Sequence, residues 1–247
     1  MPLYIVSVPI GNPDDITLRA VKTLQAVDFV ICEEIKIGRK LLKQLDIEKP
    51  LVYINEHDEI ESSDAVIQRL LKNQSAAYFS DAGTPLFADP GTYLVKRCHD
   101  LGIRVVPVPG ASSLTAALAV AGVDIRQFYF AGFLPRVSIE RRAALRNLKQ
   151  FHCPVILYDT PYRLLTLLAD IHLEFSPDTQ IVLLLALTQP DERILKGTIA
   201  DIISTVKKNY SKREFVLIIE LAGKSQPKGR TGGGSKRQPY KRRSGKS

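Results

Sequence analysis

The sequence lacks the features that would place it in a membrane, a secretory pathway or a metal-binding class. No stretch approaches the roughly 18 uninterrupted apolar residues of a membrane span, and no charged-then-apolar signal peptide opens the chain. We therefore expect a cytoplasmic protein with no membrane partner. The three cysteines lie far apart, which favours free thiols over disulfides. The four histidines are scattered, and no Cys/His spacing predicts a metal site.

Three common catalytic or nucleotide-binding motifs are also missing. A dinucleotide site would need G-x-G-x-x-G after the first strand. The first loop instead has the single glycine Gly11, followed by Asn12 and Pro13. Neither a P-loop lysine motif nor a G-x-S-x-G elbow is present. The sequence thus gives no support to a Rossmann dinucleotide site, a P-loop enzyme or an α/β-hydrolase.

Acidic residues are missing from the last 25 residues, and this explains the net charge of +8. Residues 223–247 hold nine of the 34 Lys and Arg and none of the 26 Asp and Glu, so the remainder is nearly neutral. Such a segment buries too little apolar surface to fold, and we expect a disordered basic tail. It is typical of a polyanion-binding arm, with RNA as the obvious cytoplasmic polyanion. The alternative is a solubilising tail without a specific partner.

What the sequence does contain is three turn-rich loops, each after a short apolar run. Loop 1 comprises residues 8–12, loop 2 residues 80–91 and loop 3 residues 106–113. The preceding runs have the length and β-branched content of buried parallel strands. The three loops are therefore expected at the carboxyl edge of one sheet, where open α/β folds bind ligands. Their Gly, Pro, Ser and Asp residues suit a polar small molecule held by backbone amides.

Apolar runs and helical patterns alternate along the chain, which predicts a mostly parallel α/β architecture. We expect two α/β domains with a cleft between them, spanning residues 1–121 and 122–222 and followed by the tail. Asp14 or Asp15 is expected to cap the first helix, and residues 132–135 to form a connector. Ser138 is expected to cap a basic helix. The last three strands are predicted at residues 155–158, 180–185 and 214–220.

The loops resemble, in order, those of the tetrapyrrole methylase superfamily of S-adenosylmethionine-dependent methyltransferases. Within it, the chain is most similar to the branch that methylates small-subunit ribosomal RNA. The resemblance spans residues 3 to about 221, and the combination of segments is specific although no single segment is. The segments that carry it are residues 3–6, 9–12, 15–20, 80–85, 89–91, 106–110, 132–135 and 158–163.

The resemblance implies a tetrapyrrole-methylase-like fold, a homodimer, and S-adenosylmethionine bound in the cleft between the domains. It also implies 2′-O-methylation of a cytidine ribose in 16S ribosomal RNA, with the RNA or the small ribosomal subunit as partner. Cofactor contacts are carried over by position. The residues are Pro9, Asp81, Gly83, Thr84, Ala88, Ser112, Ser113, Phe133, Leu134, Ala186, Leu187 and Thr198.

The chemistry of some of these residues agrees with a cofactor of this kind. Gly83 and Thr84 are expected to offer an amide and a hydroxyl group to a carboxylate or a ribose. Phe133 and Leu187 are apolar and are expected to flank the adenine.

The chain departs from the family pattern on the substrate side. The family's Glu-Asp-Thr-Arg is replaced by residues 33–36, Glu-Glu-Ile-Lys, and Lys36 cannot reproduce a bidentate guanidinium contact. The family's Arg-Glu-Leu-Thr-Lys is replaced by residues 185–189, Leu-Ala-Leu-Thr-Gln, which lack three charged groups. The cofactor loops keep the family pattern.

A ribose hydroxyl needs a nearby base to accept its proton, and Glu33 and Glu34 are the candidates. They are equally well interpreted as a solvated pair or as partners of Arg39 and Lys40. Substrate contacts are expected from Lys36 and from the basic helix. Arg141 and Arg142 on that helix either hold RNA phosphates or face solvent.

Asp159 and Arg163 either orient the substrate or form a helix-terminal ion pair.

Two further functions of the protein stay open. One is a cofactor-binding, ribosome-associated protein that has lost catalysis, which the missing charges at residues 185–189 favour. The other is a methyltransferase of the same fold that acts on a tetrapyrrole or another small molecule, which the basic tail disfavours.

Overall fold

The computed structural model describes residues 1–54, 58–87, 89–209 and 212–221. The predictions for Ala88 and for the basic tail lie outside the described residues. The described chain forms two five-stranded sheets with helices packed against them. None of the helices within the described ranges is long and apolar enough to cross a membrane.

The first sheet is entirely parallel. Its strands are short apolar runs that are mostly buried, as expected for a parallel sheet. In spatial order they are β3, β2, β4, β1 and β5. Their bounds are β1 Leu3–Val6, β2 Phe29–Cys32, β3 Leu51–Tyr53, β4 Ala76–Tyr78 and β5 Val105–Val108. Because β4, β1 and β5 are parallel neighbours, loops 2, 1 and 3 leave side by side from one edge, which confirms that prediction.

Helices cover both faces of the first sheet. Helices α1 (Leu18–Ala26) and α2 (Ile35–Gln44) pack on one face. Helices α3 (Glu59–Leu71) and α4 (Thr92–Asp100) pack on the other.

The predicted cap of α1 is wrong. Asp14 and Asp15 belong to a 3-10 turn that begins at Pro13. The chain is extended again before the helix, so Thr17 becomes the cap and accepts a hydrogen bond from the Ala20 N–H at 3.0 Å.

The second sheet is mixed, so the prediction of mostly parallel strands is wrong for this half. Its spatial order is β6, β7, β10, β8 and β9, and only β6 and β7 are parallel neighbours. Strand β9 was missed because its sequence, RILKGT, is a polar edge strand without a continuous apolar run. The bounds are β6 Tyr129–Phe133, β7 Val155–Asp159, β8 Gln180–Leu185, β9 Arg193–Thr198 and β10 Phe215–Ile219. The predicted connector at 132–135 therefore begins inside β6.

Helix α5 (Ser113–Val120) follows the first sheet in the chain but packs on the second. The opposite face of the second sheet carries α6 (Ser138–Leu148), α7 (Leu164–Glu174) and α8 (Ile199–Asn209). The boundary at residues 121 and 122 stays a prediction, since α5 links the two halves. Ser138 does not cap α6, because its hydroxyl donates to the Asp170 carboxylate at 3.1 Å.

Candidate active site

A cavity of about 200 Å³ lies between the two sheets, and we call it the inter-sheet cavity. Loop 1 contributes Ile10, loop 2 contributes Ala82, and the start of α5 contributes Ser113. The second sheet and its loops contribute Phe133, Tyr158, Asp159, Leu187, Gln189, Glu214, Phe215 and Val216. The structure thus brings together four residues predicted from the sequence: Ser113, Phe133, Asp159 and Leu187.

The three loops are joined to one another by hydrogen bonds. Val8 and Gly83 exchange backbone hydrogen bonds between loops 1 and 2. The Thr84 hydroxyl lies 2.8 Å from the Ser7 hydroxyl and donates to the Ala111 carbonyl at 3.0 Å. Because the Thr84 proton is already donated within the protein, Thr84 positions the loops. The expected contact of Thr84 with the cofactor stays a prediction.

Loop 1 is also in close contact with the loop between β8 and β9. The Asn12 N–H donates to the Thr188 hydroxyl at 2.9 Å. A Cβ on Gly11 would lie 2.7 Å from the Leu187 carbonyl, the Thr188 Oγ1 and the Gln189 Cγ. Only glycine fits this approach, and the contact holds the two halves together beside the inter-sheet cavity.

Two carboxyl groups line the inter-sheet cavity. Asp159 Oδ1 accepts from the Thr160 N–H at 2.7 Å and lies 3.3 Å from the Arg163 Nε. Its Oδ2 is buried and has no partner among the described residues. Burial raises the pKa of Asp159 despite Arg163, and burial also raises the pKa of Glu214. A wall of this kind fits a ligand group that carries positive charge or donates hydrogen bonds.

Phe133 and Tyr158 give the inter-sheet cavity an aromatic surface. Phe133 is half exposed and meets Tyr158 edge to face, with ring centroids 6.1 Å apart. The Tyr158 hydroxyl lies 2.6 Å from the Ser113 hydroxyl, which joins β7 to the start of α5. Burial raises the pKa of Tyr158, so the phenol stays neutral. An exposed ring beside Leu187 suits a planar heterocycle.

A second cavity, of about 360 Å³, lies on the other side of loop 1 against α2, and we call it the α2 cavity. Pro9, Asp81 and Lys40 line it, so the first two lie apart from the inter-sheet cavity. Asp81 accepts a hydrogen bond from the Glu34 backbone, and its Oδ1 is buried without a partner among the described residues. Burial, with Glu34 and Asp89 nearby, raises the pKa of Asp81.

The proposed bases Glu33 and Glu34 line neither of these two cavities. Glu34 is exposed at the start of α2, and Glu33 is half buried at the end of β2. Strand β4 separates β2 from β1, so loop 2 with Asp81 stands nearer to loop 1 than either glutamate does. The resemblance gave Asp81 as a cofactor contact, and only the structure shows that its Oδ1 is buried without a partner among the described residues.

Several predicted cofactor residues lie elsewhere. Leu134 is buried in the core of the second half, and its carbonyl accepts from Arg163 at 3.1 Å. Ala186 is buried, and Ser112 is the N-cap of α5.

Thr198 pairs with Gln180, at the end of β8 opposite to Leu185, about 17 Å away at the ~3.4 Å rise of a strand. Its hydroxyl donates to Asp201 at 2.7 Å. Thr198 therefore lies away from the residues that line the inter-sheet cavity, and its contact with the cofactor stays a prediction.

The arginines predicted to hold RNA phosphates are paired within the protein. Arg141 is only 2% exposed, and its guanidinium donates to Asp170 at 2.8 Å and to the Arg136 carbonyl at 2.8 Å. Arg142 donates to Glu174 at 2.6 Å and, with Arg146, lowers the pKa of that carboxyl. The prediction that Arg141 binds an RNA phosphate is therefore wrong. Arg163 donates to the Pro135 carbonyl, so it too is engaged within the protein. Lys36 is exposed on α2.

Solved structures with this fold include a methyltransferase and a synthase. Diphthine synthase superposes with a TM-score of 0.72 at 17% identity, covering 90% of each chain. A uroporphyrin-III C-methyltransferase from Thermus thermophilus superposes with a TM-score of 0.60 at 19% identity, covering 89% of this chain and 94% of the other. These similarities define the fold class as the two-sheet α/β architecture that these enzymes share.

Sequence relatives identify the family within that class. The family model described as tetrapyrrole (corrin/porphyrin) methylases matches residues 2–203. The ribosomal RNA small subunit methyltransferase I of Neisseria meningitidis serogroup B is 39% identical, covering 88% of this chain and 75% of that protein. The protein of that name from Pseudomonas aeruginosa is 38% identical, covering 92% of this chain and 80% of that protein. The chain belongs to the tetrapyrrole methylase family and is a methyltransferase.

Proposed function

We propose that the protein transfers a methyl group from S-adenosylmethionine to the 2′-hydroxyl of a cytidine in small-subunit ribosomal RNA. The observation that carries the proposal is the 38–39% identity to relatives named as ribosomal RNA small subunit methyltransferase I over most of the chain. We further propose that it acts in the cytoplasm as a homodimer.

The inter-sheet cavity is the proposed cofactor site. Phe133 and Leu187 would flank the adenine, while Asp159 and Glu214 would face the groups that carry positive charge or donate hydrogen bonds. The unpartnered Asp159 Oδ2 supports this fit, because a buried carboxylate oxygen without a donor is costly. When bound, the cofactor supplies an activated methyl group on a sulfonium, which is already a good leaving group.

The protein's own contribution is alignment and proton acceptance. Loops 1, 2 and 3 are fixed by the Ser7–Thr84–Ala111 hydrogen bonds, which suits the in-line alignment that methyl transfer needs. The target ribose would lie where the two cavities adjoin, because Ile10 and Ala82 of the inter-sheet cavity are chain neighbours of Pro9 and Asp81 of the α2 cavity. Asp81 lines the α2 cavity and would accept the hydroxyl proton, with a pKa raised toward the working range of a general base.

The test is methyl transfer from labelled cofactor to purified small ribosomal subunits and to free 16S RNA, with the modified nucleotide mapped. We expect one 2′-O-methylcytidine. Calorimetric binding of the cofactor without transfer to any RNA would identify the cofactor-binding protein that has lost catalysis. Transfer to a tetrapyrrole but not to RNA would identify the small-molecule enzyme. Absence of cofactor binding at millimolar concentration would refute all three functions.

The Asp81 role is tested separately by Asp81→Asn. We expect it to lower the rate constant of methyl transfer by about 100-fold or more, within the usual range for a general base. Cofactor affinity should change little, and the acidic limb of the pH–rate profile should disappear. Glu33→Gln and Glu34→Gln serve as comparisons. If a glutamate variant loses transfer while Asp81→Asn retains it, the base is the glutamate predicted from the sequence.

A further inference from the structure

Helix α2 carries a stripe of four cations on its solvent side. Lys36, Arg39, Lys40 and Lys43 stand at helical spacings of three, four and seven, and all four are exposed. The helix contains no acidic residue. Its opposite side buries Gly38 and Leu42 against the first sheet, which fixes the stripe outward.

The cations of this stripe have no partners within the described part of the chain. None of them forms an ion pair or a side-chain hydrogen bond there. Asp46 and Glu48 lie nearby, but neither is within 4.0 Å of a cation in the described residues. Helix α6 shows the contrast, because Arg141 and Arg142 are paired with carboxylates of α7. Four unpaired like charges on one helix face repel one another and favour an anionic partner.

The stripe lies between two cavities and leads to the candidate site. On one side, Lys40 lines the α2 cavity together with Pro9 and Asp81. On the other side, Arg39 and Lys43 line a cavity of about 470 Å³ together with Lys49. The start of the helix is joined to loop 2, since the Glu34 N–H donates to Asp81. An extended anion along the stripe would therefore reach the site from outside.

We propose that the outer face of α2, formed by Lys36, Arg39, Lys40 and Lys43, binds the phosphate backbone of the RNA and leads the target nucleotide into the α2 cavity. This rests on the proposed RNA substrate and assigns to α2 the role that the sequence suggested for α6. Phosphate contacts fix register and orientation without reading the base. Each neutralised phosphate releases counterions, so binding through this face depends steeply on salt.

The test compares two variants of the full chain that lose equal charge. One replaces Lys36, Arg39, Lys40 and Lys43 with Gln, and the control replaces the exposed Lys72, Lys96, Lys207 and Lys208 with Gln. Affinity for a 16S RNA fragment is measured between about 50 and 200 mM salt. We expect the α2 variant to bind at least about 10-fold more weakly, with a salt slope shallower by about 3, and the control to bind nearly as the wild type does.

Two further measurements separate this role from misfolding and from the proposed function. A variant that exchanges lysine and arginine at the four α2 positions should retain the wild-type slope, and calorimetry should show unchanged cofactor affinity in every variant. An unchanged slope in the α2 variant, or an equal loss in the control, would overturn the inference. Wild-type binding without methyl transfer would refute the proposed function, while the slopes would still decide the role of α2.

Discussion

At the scale of single residues, Gly11 is the position where the two halves leave no room for a side chain. A Cβ there would lie 2.7 Å from three atoms of the β8–β9 loop. Gly11→Ala should lower the free energy of unfolding by about 1–3 kcal/mol, the usual cost of overpacking. Cofactor affinity should fall as well, because the same loop carries Leu187. Urea unfolding and calorimetry measure the two effects.

The matched control is Gly197→Ala in β9, where an added Cβ would meet nothing closer than 3.9 Å. The free energy of unfolding of Gly197→Ala should be close to that of the wild type. If Gly11→Ala unfolds like Gly197→Ala and binds cofactor normally, the close contact of loop 1 with the β8–β9 loop is not required for the site.

Asp159 is one of the residues whose charge opposes folding. Its pKa is raised in the folded protein, chiefly by burial, so the ionised form is less favourable folded than unfolded. The cost is present at neutral pH and disappears as the pH falls below the unfolded pKa of about 3.9. Asp159→Asn should therefore raise the midpoint of thermal unfolding at pH 7, with a gain that shrinks toward pH ~4.

The control for Asp159→Asn is Asp124→Asn. Arg126 lowers the pKa of the exposed Asp124, so the charge of Asp124 does not oppose folding. This variant should show no gain at pH 7. The same Asp159→Asn protein should bind cofactor more weakly if Oδ2 faces the ligand. A loss of stability at every pH would show that the Arg163 contact outweighs the burial of Asp159.

At the scale of elements, α6 and α7 are joined by buried and half-buried ion pairs. Arg141→Ala would leave the Asp170 carboxylate buried without its partner, and should lower the free energy of unfolding by about 3–5 kcal/mol. Arg142→Ala should cost about 1 kcal/mol or less, because Arg142 is 40% exposed and Arg146 still contacts Glu174. Denaturant unfolding of both variants measures the difference.

RNA affinity decides between this structural role and the phosphate-binding role that the sequence predicts for α6. Both variants should retain wild-type RNA affinity under conditions where they are folded. An Arg141→Ala protein as stable as the wild type but deficient in RNA binding would restore the phosphate-binding role. Helices α2 and α6 are both basic in sequence, but α7 supplies carboxylate partners to the arginines of α6 alone among the described residues.

At the scale of the whole molecule, the positive charge of the last 25 residues stands apart from a nearly neutral body. Deletion of residues 223–247 should weaken RNA binding and reduce its salt dependence, while cofactor affinity stays unchanged. RNA binding and calorimetry with the truncated chain check this. Unchanged RNA affinity would favour a solubilising tail, and combination with the α2 variant would show whether the two regions contribute independently.

The sequence by itself determined the parallel first sheet and the position of its three loops. Buried parallel strands are continuous apolar runs, and turn residues mark where each ends, so both signals are local. Residues in those loops, such as Gly83 and Pro109, also carried the family resemblance. This is why the loop edge and the methyltransferase family could be predicted before any contact was known.

Only the tertiary structure decided which polar residues are available to a ligand. Arg141 and Asp170 are 29 positions apart, and Ser7 and Thr84 are 77 apart, so no local pattern predicts that they pair. The antiparallel pairing of β8 and β9 likewise places Thr198 beside Gln180, at the end of β9 away from Leu187. Short-range geometry in the sequence determines strands, helices and turns. Long-range packing decides which charges are neutralised, and so which stay free to bind.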